Sequence, residues 1–177
     1  MLPPGELREW LLAQPAAERQ RALATLSQAE RACLRAHWEI WARPEQLPPP
    51  GDWPVWLICA GRGFGKTRAG AEWVCRQARD HHGARIALVG ASIHEARAVM
   101  VEGESGVLAV MRHAAAGHSV RFEPSLRRLV WRNGAQATLY SAAEPESLRG
   151  AQHSHAWCDE IGKWEASGDR STAATPW

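Results

Sequence analysis

Ala60-Gly61-Arg62-Gly63-Phe64-Gly65-Lys66-Thr67 gathers three glycines, two cations and a hydroxyl into one short stretch. Glycines let successive backbone N–H groups turn towards a polyphosphate, a lysine reaches its terminal phosphates, and a threonine hydroxyl is a hard ligand for Mg²⁺. The order fits the phosphate-loop pattern G-x-x-x-x-G-K-[ST] at every fixed position except the first, where Ala60 replaces glycine. Gly61, Arg62, Gly63, Phe64, Gly65, Lys66 and Thr67 are therefore the candidate nucleotide-binding residues, with ATP the expected ligand. Arg62 sets a second cation inside the loop.

Phosphoryl transfer also needs a carboxylate for Mg²⁺ and a group that positions the attacking water. Asp159-Glu160 supplies both at the end of the short run His155-Ala156-Trp157-Cys158. Thr67 and Asp159 are the candidate Mg²⁺ ligands, and Glu160 the candidate hydrolytic carboxylate. An acidic pair alone says little, because exposed acidic pairs are common; its place downstream of the loop carries the reading. Arg149, in Ser147-Leu148-Arg149-Gly150, suits a γ-phosphate contact in its own subunit or across an interface. A surface arginine at a turn is the plainer reading of the same residue. His153, His155 and Cys158 lack a fourth ligand at the usual zinc spacing.

These residues need elements to hold them. Val55 to Cys59 (VWLIC) reads as a buried strand leading into the loop, and Thr67 to Asp80, free of proline, as the helix after it. Arg85 to Gly90 reads as a second buried strand, and Ser92-Ile93-His94-Glu95 as a capping box opening a helix to about Met100. Val107 to Ala116 is a further predicted helix. Asn133-Gly134 sits between Arg128–Trp131 and Ala135–Tyr140, a strong hairpin signal. The expected fold is α/β: a P-loop NTPase with a mostly parallel sheet flanked by helices and ligands at the strands' carboxyl ends. Residues 1–43 read as a small helical region, with stripes Leu7/Trp10/Leu11 and Leu34/Trp38/Trp41 and a capping box at Ser27–Glu30. Residues 44–54 read as an extended Pro-rich linker, 51–164 as the ATPase core, and 165–177 as a polar, aperiodic tail.

A net charge of +2 selects no partner by bulk electrostatics. Arg121, Arg127, Arg128 and Arg132 read first as a solvated strand face, with a nucleic-acid backbone as the alternative neighbour. Cys33, Cys59, Cys75 and Cys158 are dispersed, and Cys59 and Cys158, at the ends of apolar runs, are expected to be buried free thiols. The chain has no signal-peptide pattern and no bilayer-length apolar run, so a cytoplasmic location is expected.

The chain resembles the ATPase domain of phage terminase large subunits of the tailed-phage and gene-transfer-agent type. Gly61 to Trp73, Ser147-Leu148-Arg149-Gly150, Trp157-Cys158-Asp159-Glu160 and Lys163-Trp164 carry the likeness, over about residues 50–164. The resemblance implies that Lys66 and Thr67 bind phosphate and Mg²⁺ and that Arg62 contacts the terminal phosphate. It gives Asp159 and Glu160 the Mg²⁺ and hydrolysis roles, and Arg149 a role in trans within a homo-oligomeric ring. The implied partners are double-stranded DNA, a small terminase subunit and a portal protein, in the cytoplasm of a bacterial host. Such proteins continue through a coupling segment and a nuclease domain that the tail from Glu165 to Trp177 does not resemble, so nuclease activity is not expected. The other readings are a catalytically silent nucleotide or subunit binder and a helicase-like ATPase.

Overall fold

The computed structural model describes residues 4–112 and 119–164. The tail at 165–177 and the end of the helix predicted over 107–116 lie outside the described residues.

Four short helices open the chain: α1 (Pro4–Ala13), α2 (Ala16–Thr25), α3 (Gln28–Ala36) and α4 (Trp38–Trp41). The predicted capping box starts α3. Ser27 Oγ accepts from Glu30 N at 3.2 Å while Ser27 N donates to Glu30 Oε2 at 2.8 Å, satisfying two donors that the helix end leaves open. Leu11, Leu34 and Ile40 form a small core of their own, with Leu7, Leu23 and Leu26 packed on it. Trp10 and Trp41, expected on the apolar stripes, are instead about half exposed. Trp41 Nε1 donates to Leu34 O at 2.7 Å, so that indole packs along the helix end with its polar edge satisfied.

The segment read as an extended linker is not uniformly extended: Pro44–Gln46 makes a 3₁₀ turn, and the Gln46 side chain is buried. A larger correction concerns Val55–Cys59, which pairs with no strand. Val55 and Leu57 are 77% and 69% exposed. A strand needs a neighbour for its ladder. In the five-stranded sheet His155–Cys158 is an edge, and no described strand lies beyond it to receive the segment.

Helix α5 (Lys66–Asp80) follows the glycine-rich loop, and β1 (Arg85–Gly90) follows α5. Next come α6 (Ile93–Glu95), capped by Ser92 Oγ accepting from Glu95 N at 3.1 Å, and a π-helical turn over Ala96–Val101. The predicted helix to Met100 is therefore present but widened in its second half. After α7 (Val107–Met111), β2 (Val120–Glu123), β3 (Arg128–Trp131), β4 (Gln136–Ser141) and β5 (His155–Cys158) complete the sheet. The sheet is mixed rather than mostly parallel: β1 pairs parallel with β4 and β5, whereas β2–β3 and β3–β4 are antiparallel. The Asn133-Gly134 hairpin joins β3 to β4 as predicted, with Gly134 at φ 82°.

One main core lies between α5 and the sheet. Ala71, Val74, Cys75 and Ala78 recur at helical spacing and meet Ile86, Leu88, Leu129, Trp131, Ala137, Leu139 and Trp157. Met100, Val101, Val107 and Val110 close the same core. Strands β3 and β4 alternate between buried and half-buried positions, whereas β1, in the middle, is buried at every position after Arg85. Burying side chains such as Ile86, Leu88 and Leu129 stabilises the fold by about 1.5–3 kcal/mol each. Cys75 belongs to this core, but Cys59 and Cys158 are exposed, contrary to expectation. Cys59 sits in the unpaired segment, and Cys158 alternates with core-facing Trp157 on an edge strand. Arg121 and Arg128 each pair with Glu123 at 2.6 Å, so part of the arginine cluster is a charge-paired strand face.

Candidate functional site

The loop from Gly61 to Gly65 turns on two left-handed glycines, Gly63 at φ 75° and Gly65 at φ 90°, and Gly65 caps the amino end of α5. Side chains other than glycine rarely adopt these angles, which accounts for glycine at both positions. Ala69 N is the first amide of the helix to donate to a carbonyl, that of Gly65 at 3.0 Å. The N–H groups of Gly65, Lys66 and Thr67 have no carbonyl partner among the described residues. Unpaired N–H groups at a helix amino end, with its positive dipole, favour an anion. Lys66 Nζ folds back on the same loop, donating to Ala60 O at 2.8 Å and Gly61 O at 3.1 Å. Arg62 is exposed at the turn, and Thr67 is half-buried in the first helical turn.

Helix α5 brings this loop to β5 by close packing. An ideal Cβ on Gly70 would meet Trp157 Cε2 at 2.2 Å, and Ala69, Gly70 and Ala71 are all buried. Three small residues let the helix lie directly on the indole. Trp157 stands two residues before Asp159, so the packing that seats α5 also brings Lys66 and Thr67 towards the carboxyl end of β5.

Asp159 is buried, and its N–H donates to Val89 O at 3.0 Å, continuing the β1–β5 ladder by one residue. Burial pushes its carboxyl above the usual range and the charge of Glu160 adds to the rise, while Lys66 and Lys163 oppose it. The Lys66 ammonium, held on the Ala60 and Gly61 carbonyls, contributes to the field at Asp159 without pairing with it. Glu160 takes a left-handed backbone angle, φ 51°, and its exposed carboxylate lies 3.8 Å from Lys163 Nζ. Lys163 also approaches Glu95 at 3.9 Å, and Trp164 Nε1 donates to Asp159 O at 3.1 Å. Lys163 and Trp164 therefore tie the turn Ile161–Lys163 to the Glu160 carboxylate and the Asp159 backbone.

Arg149 is not gathered into this cluster. It ends the 3₁₀ turn Pro145–Leu148, is 81% exposed, and pairs with Glu146 at 2.8 Å. An open groove runs along β4 from Gln136 to Tyr140, with Arg85 and His153 beside it, and Asp159 does not line it. Within it Tyr140 packs edge to face on His153 at 5.2 Å between centroids, and Arg85 Nη1 donates to Gln136 Oε1.

Sequence reasoning missed the residues that hold the loop from behind. Arg43 and Gln46, in the Pro-rich segment, both donate to Phe64 O, at 3.0 and 2.7 Å. A lone glutamine among prolines and charges shows no periodicity, so nothing in the pattern marks it as buried.

Compared with known families, residues 57–176 match the family described as terminase large subunit, T4likevirus-type, N-terminal. The chain belongs to that family. No curated protein and no solved structure matches it. The terminase match takes in the glycine-rich loop, Arg149, Asp159 and Glu160, and it runs past Trp164, where the motif likeness stops. It begins at Leu57, so the Arg43–Gln46 turn on this terminase loop lies outside it.

Proposed function

We propose that this chain carries the nucleotide site of a DNA-packaging terminase, a P-loop ATPase whose hydrolysis drives double-stranded DNA into a capsid. The glycine-rich loop opening α5, with Gly70 of that helix packed on Trp157 two residues before Asp159, carries the proposal. The backbone of Gly61 to Gly65 and the Lys66 ammonium offer donors to the phosphates of ATP, with Arg62 at the turn as a further cation. Thr67 and Asp159 offer a hydroxyl and a carboxylate, the oxygen set that Mg²⁺ takes. They fit the ion, since a cation would offset the burial and the repulsion from Glu160 that now raise the Asp159 carboxyl. Mg²⁺ bound there supplies charge neutralisation for phosphoryl transfer. Glu160, exposed beside Lys163, is the carboxylate placed to orient the attacking water.

Arg149, outside its own cluster and highly exposed, suits insertion into a neighbouring subunit's site in a ring. The proposed setting is the bacterial host's cytoplasm, with a small terminase subunit and a portal protein as partners. One observation favours a second reading, a nucleotide binder without turnover: Val55–Cys59, which leads into the loop, stands outside the sheet. A helicase-like ATPase would require strand separation, which no described residue suggests.

Phosphate release by the 177-residue chain with ATP and Mg²⁺, compared with Lys66→Ala, tests the proposal. Release by the wild type above the variant is expected. Equal rates remove the enzymatic reading, and nucleotide binding without release selects the silent binder.

A further inference from the structure

A loop with three glycines is soft, because glycine gives up more conformational freedom on ordering than any other residue. Something must hold it if it is to meet a polyphosphate already shaped. The region before the family match supplies that hold. Gln46 is a buried polar side chain, 6% exposed, with both ends of its amide engaged. Oε1 accepts from Arg43 N at 2.8 Å, which fixes the amide's orientation, and Nε2 donates to Phe64 O at 2.7 Å. Arg43 Nη1 donates to the same carbonyl at 3.0 Å, and its guanidinium lies 5.4 Å from the Phe64 ring centroid. A Cβ on Gly65 would stand 2.6 Å from Gln46 Nε2, so the amide presses on the loop where it turns into α5. Beyond that turn, the Arg68 guanidinium lies 5.6 Å from the Trp38 ring centroid. The 38–46 segment therefore grips both sides of Phe64-Gly65-Lys66.

We propose that Gln46, locked by Arg43, is a positioning residue that pins the Phe64 carbonyl and holds the neighbouring N–H groups turned outward for phosphate. Fixing that carbonyl fixes the Gly65 N–H of the same planar peptide unit, and the Lys66 and Thr67 amides follow it in the first turn of α5. The ordering cost is met in folding, so less is lost when an anion binds. The helical region at residues 4–46 thereby becomes part of the nucleotide site rather than an appendage. The proposal rests on the nucleotide reading of the loop.

Two readouts on the full chain test it. In the ligand-free chain trypsin cuts after the exposed Arg62 faster the more freely the loop opens, and binding of a fluorescent ADP analogue reports the preorganised N–H groups. Gln46→Glu keeps the acceptor for Arg43 N but replaces the donor to Phe64 O with a carboxylate oxygen. Loss of such a hydrogen bond corresponds to about tenfold in an equilibrium, so about tenfold faster cutting at Arg62 and about tenfold weaker analogue binding are expected. Cutting after Arg79 should not move, and the thermal midpoint should fall only by the few degrees that one buried hydrogen bond is worth. Arg43→Ala, which removes the second donor, is expected to shift both readouts in the same direction by a smaller factor. Unchanged cutting at Arg62 in both variants overturns the clamp. Faster cutting with unchanged analogue affinity overturns its positioning role. A wild-type chain that binds no analogue, with cutting still faster in the variants, removes the nucleotide reading and leaves only a structural clamp, which also overturns the proposal.

Discussion

Gly70 and Trp157 approach so closely that a Cβ on the glycine would stand 2.2 Å from Cε2 of the indole. Helix α5 and strand β5 therefore touch through one missing methyl group. Gly70 lies one helical turn beyond Lys66, and Trp157 lies just before Asp159, so this contact sets how near the loop comes to the carboxylates. In an exposed helix Gly→Ala would gain about 1 kcal/mol. Here the added carbon meets the middle of a buried ring, and overpacking of this kind costs about 1–3 kcal/mol. Gly70→Ala is expected to lower the urea midpoint and to weaken nucleotide binding as α5 lifts. A raised midpoint would show that the indole can give way.

Thiol labelling separates the two possible placements of Val55–Cys59. Cys59 is exposed, Cys158 is exposed on the edge strand with burial pushing its thiol up, and Cys75 is buried with its thiol pushed up strongly. The thiolate is the reactive form, so iodoacetamide should modify Cys59 first, Cys158 more slowly, and Cys75 only on unfolding. Mass mapping of a time course reads the order directly. Protection of Cys59 as complete as that of Cys75 would place the segment in a sheet after all.

The contrast between those cysteines shows what periodicity can and cannot reveal. VWLIC and RIALVG are equally apolar runs, and both read as buried strands. Only Arg85–Gly90 has neighbours on both sides, β4 and β5, and only it is buried. Composition records that a segment suits a ladder, not that a partner stands beside it. The hairpin at Asn133-Gly134, the capping box at Ser27 and the loop–helix junction at Lys66 were legible because each is decided by a few adjacent residues. The reading of Asp159 together with Lys66 rests on motif order and on the rule that ligands gather at strand carboxyl ends. The parallel-to-antiparallel balance of the sheet was not legible, because it depends on where β2 and β3 attach. Gln46 was hidden for the same reason: its burial comes from a loop 18 residues away.

His155 gives the pH response a definite sign. Burial lowers its pKa, and His81, whose ring centroid lies 5.1 Å away, lowers it further. The folded chain therefore favours the neutral imidazole more than the unfolded chain does. Its contribution to stability is fully present above about pH 6.5 and is lost as pH falls through the lower folded-state value. Urea midpoints should drop between pH 7.5 and pH 5, and His155→Gln should flatten that drop. An NMR titration of His81→Gln should show the His155 midpoint moving up. A midpoint that stays put would remove His81 as a cause.

Asn133 closes the far end of α5, where the last helical carbonyls have no partner within the helix. Its Nδ2 donates to Ala78 O at 2.7 Å, and its Oδ1 accepts from Ala135 N at 3.2 Å, tying the helix end to the β3–β4 hairpin. Gly83 N donates to the Asn133 carbonyl at 3.3 Å, so the turn before β1 joins the same knot. Asn133→Ala removes both side-chain bonds and leaves the buried Ala78 carbonyl unpaired, a loss of about 1–3 kcal/mol. Asn133→Asp keeps the acceptor for Ala135 N but loses the donor and sets a negative charge against the negative end of the helix dipole. The aspartate variant should therefore be no more stable than the alanine variant at neutral pH, and should recover as pH falls and the carboxyl gains a proton to donate. Urea midpoints of the three proteins at pH 7 and pH 4 read this order. An aspartate variant as stable as wild type at pH 7 would show that the Ala78 carbonyl does not depend on Asn133.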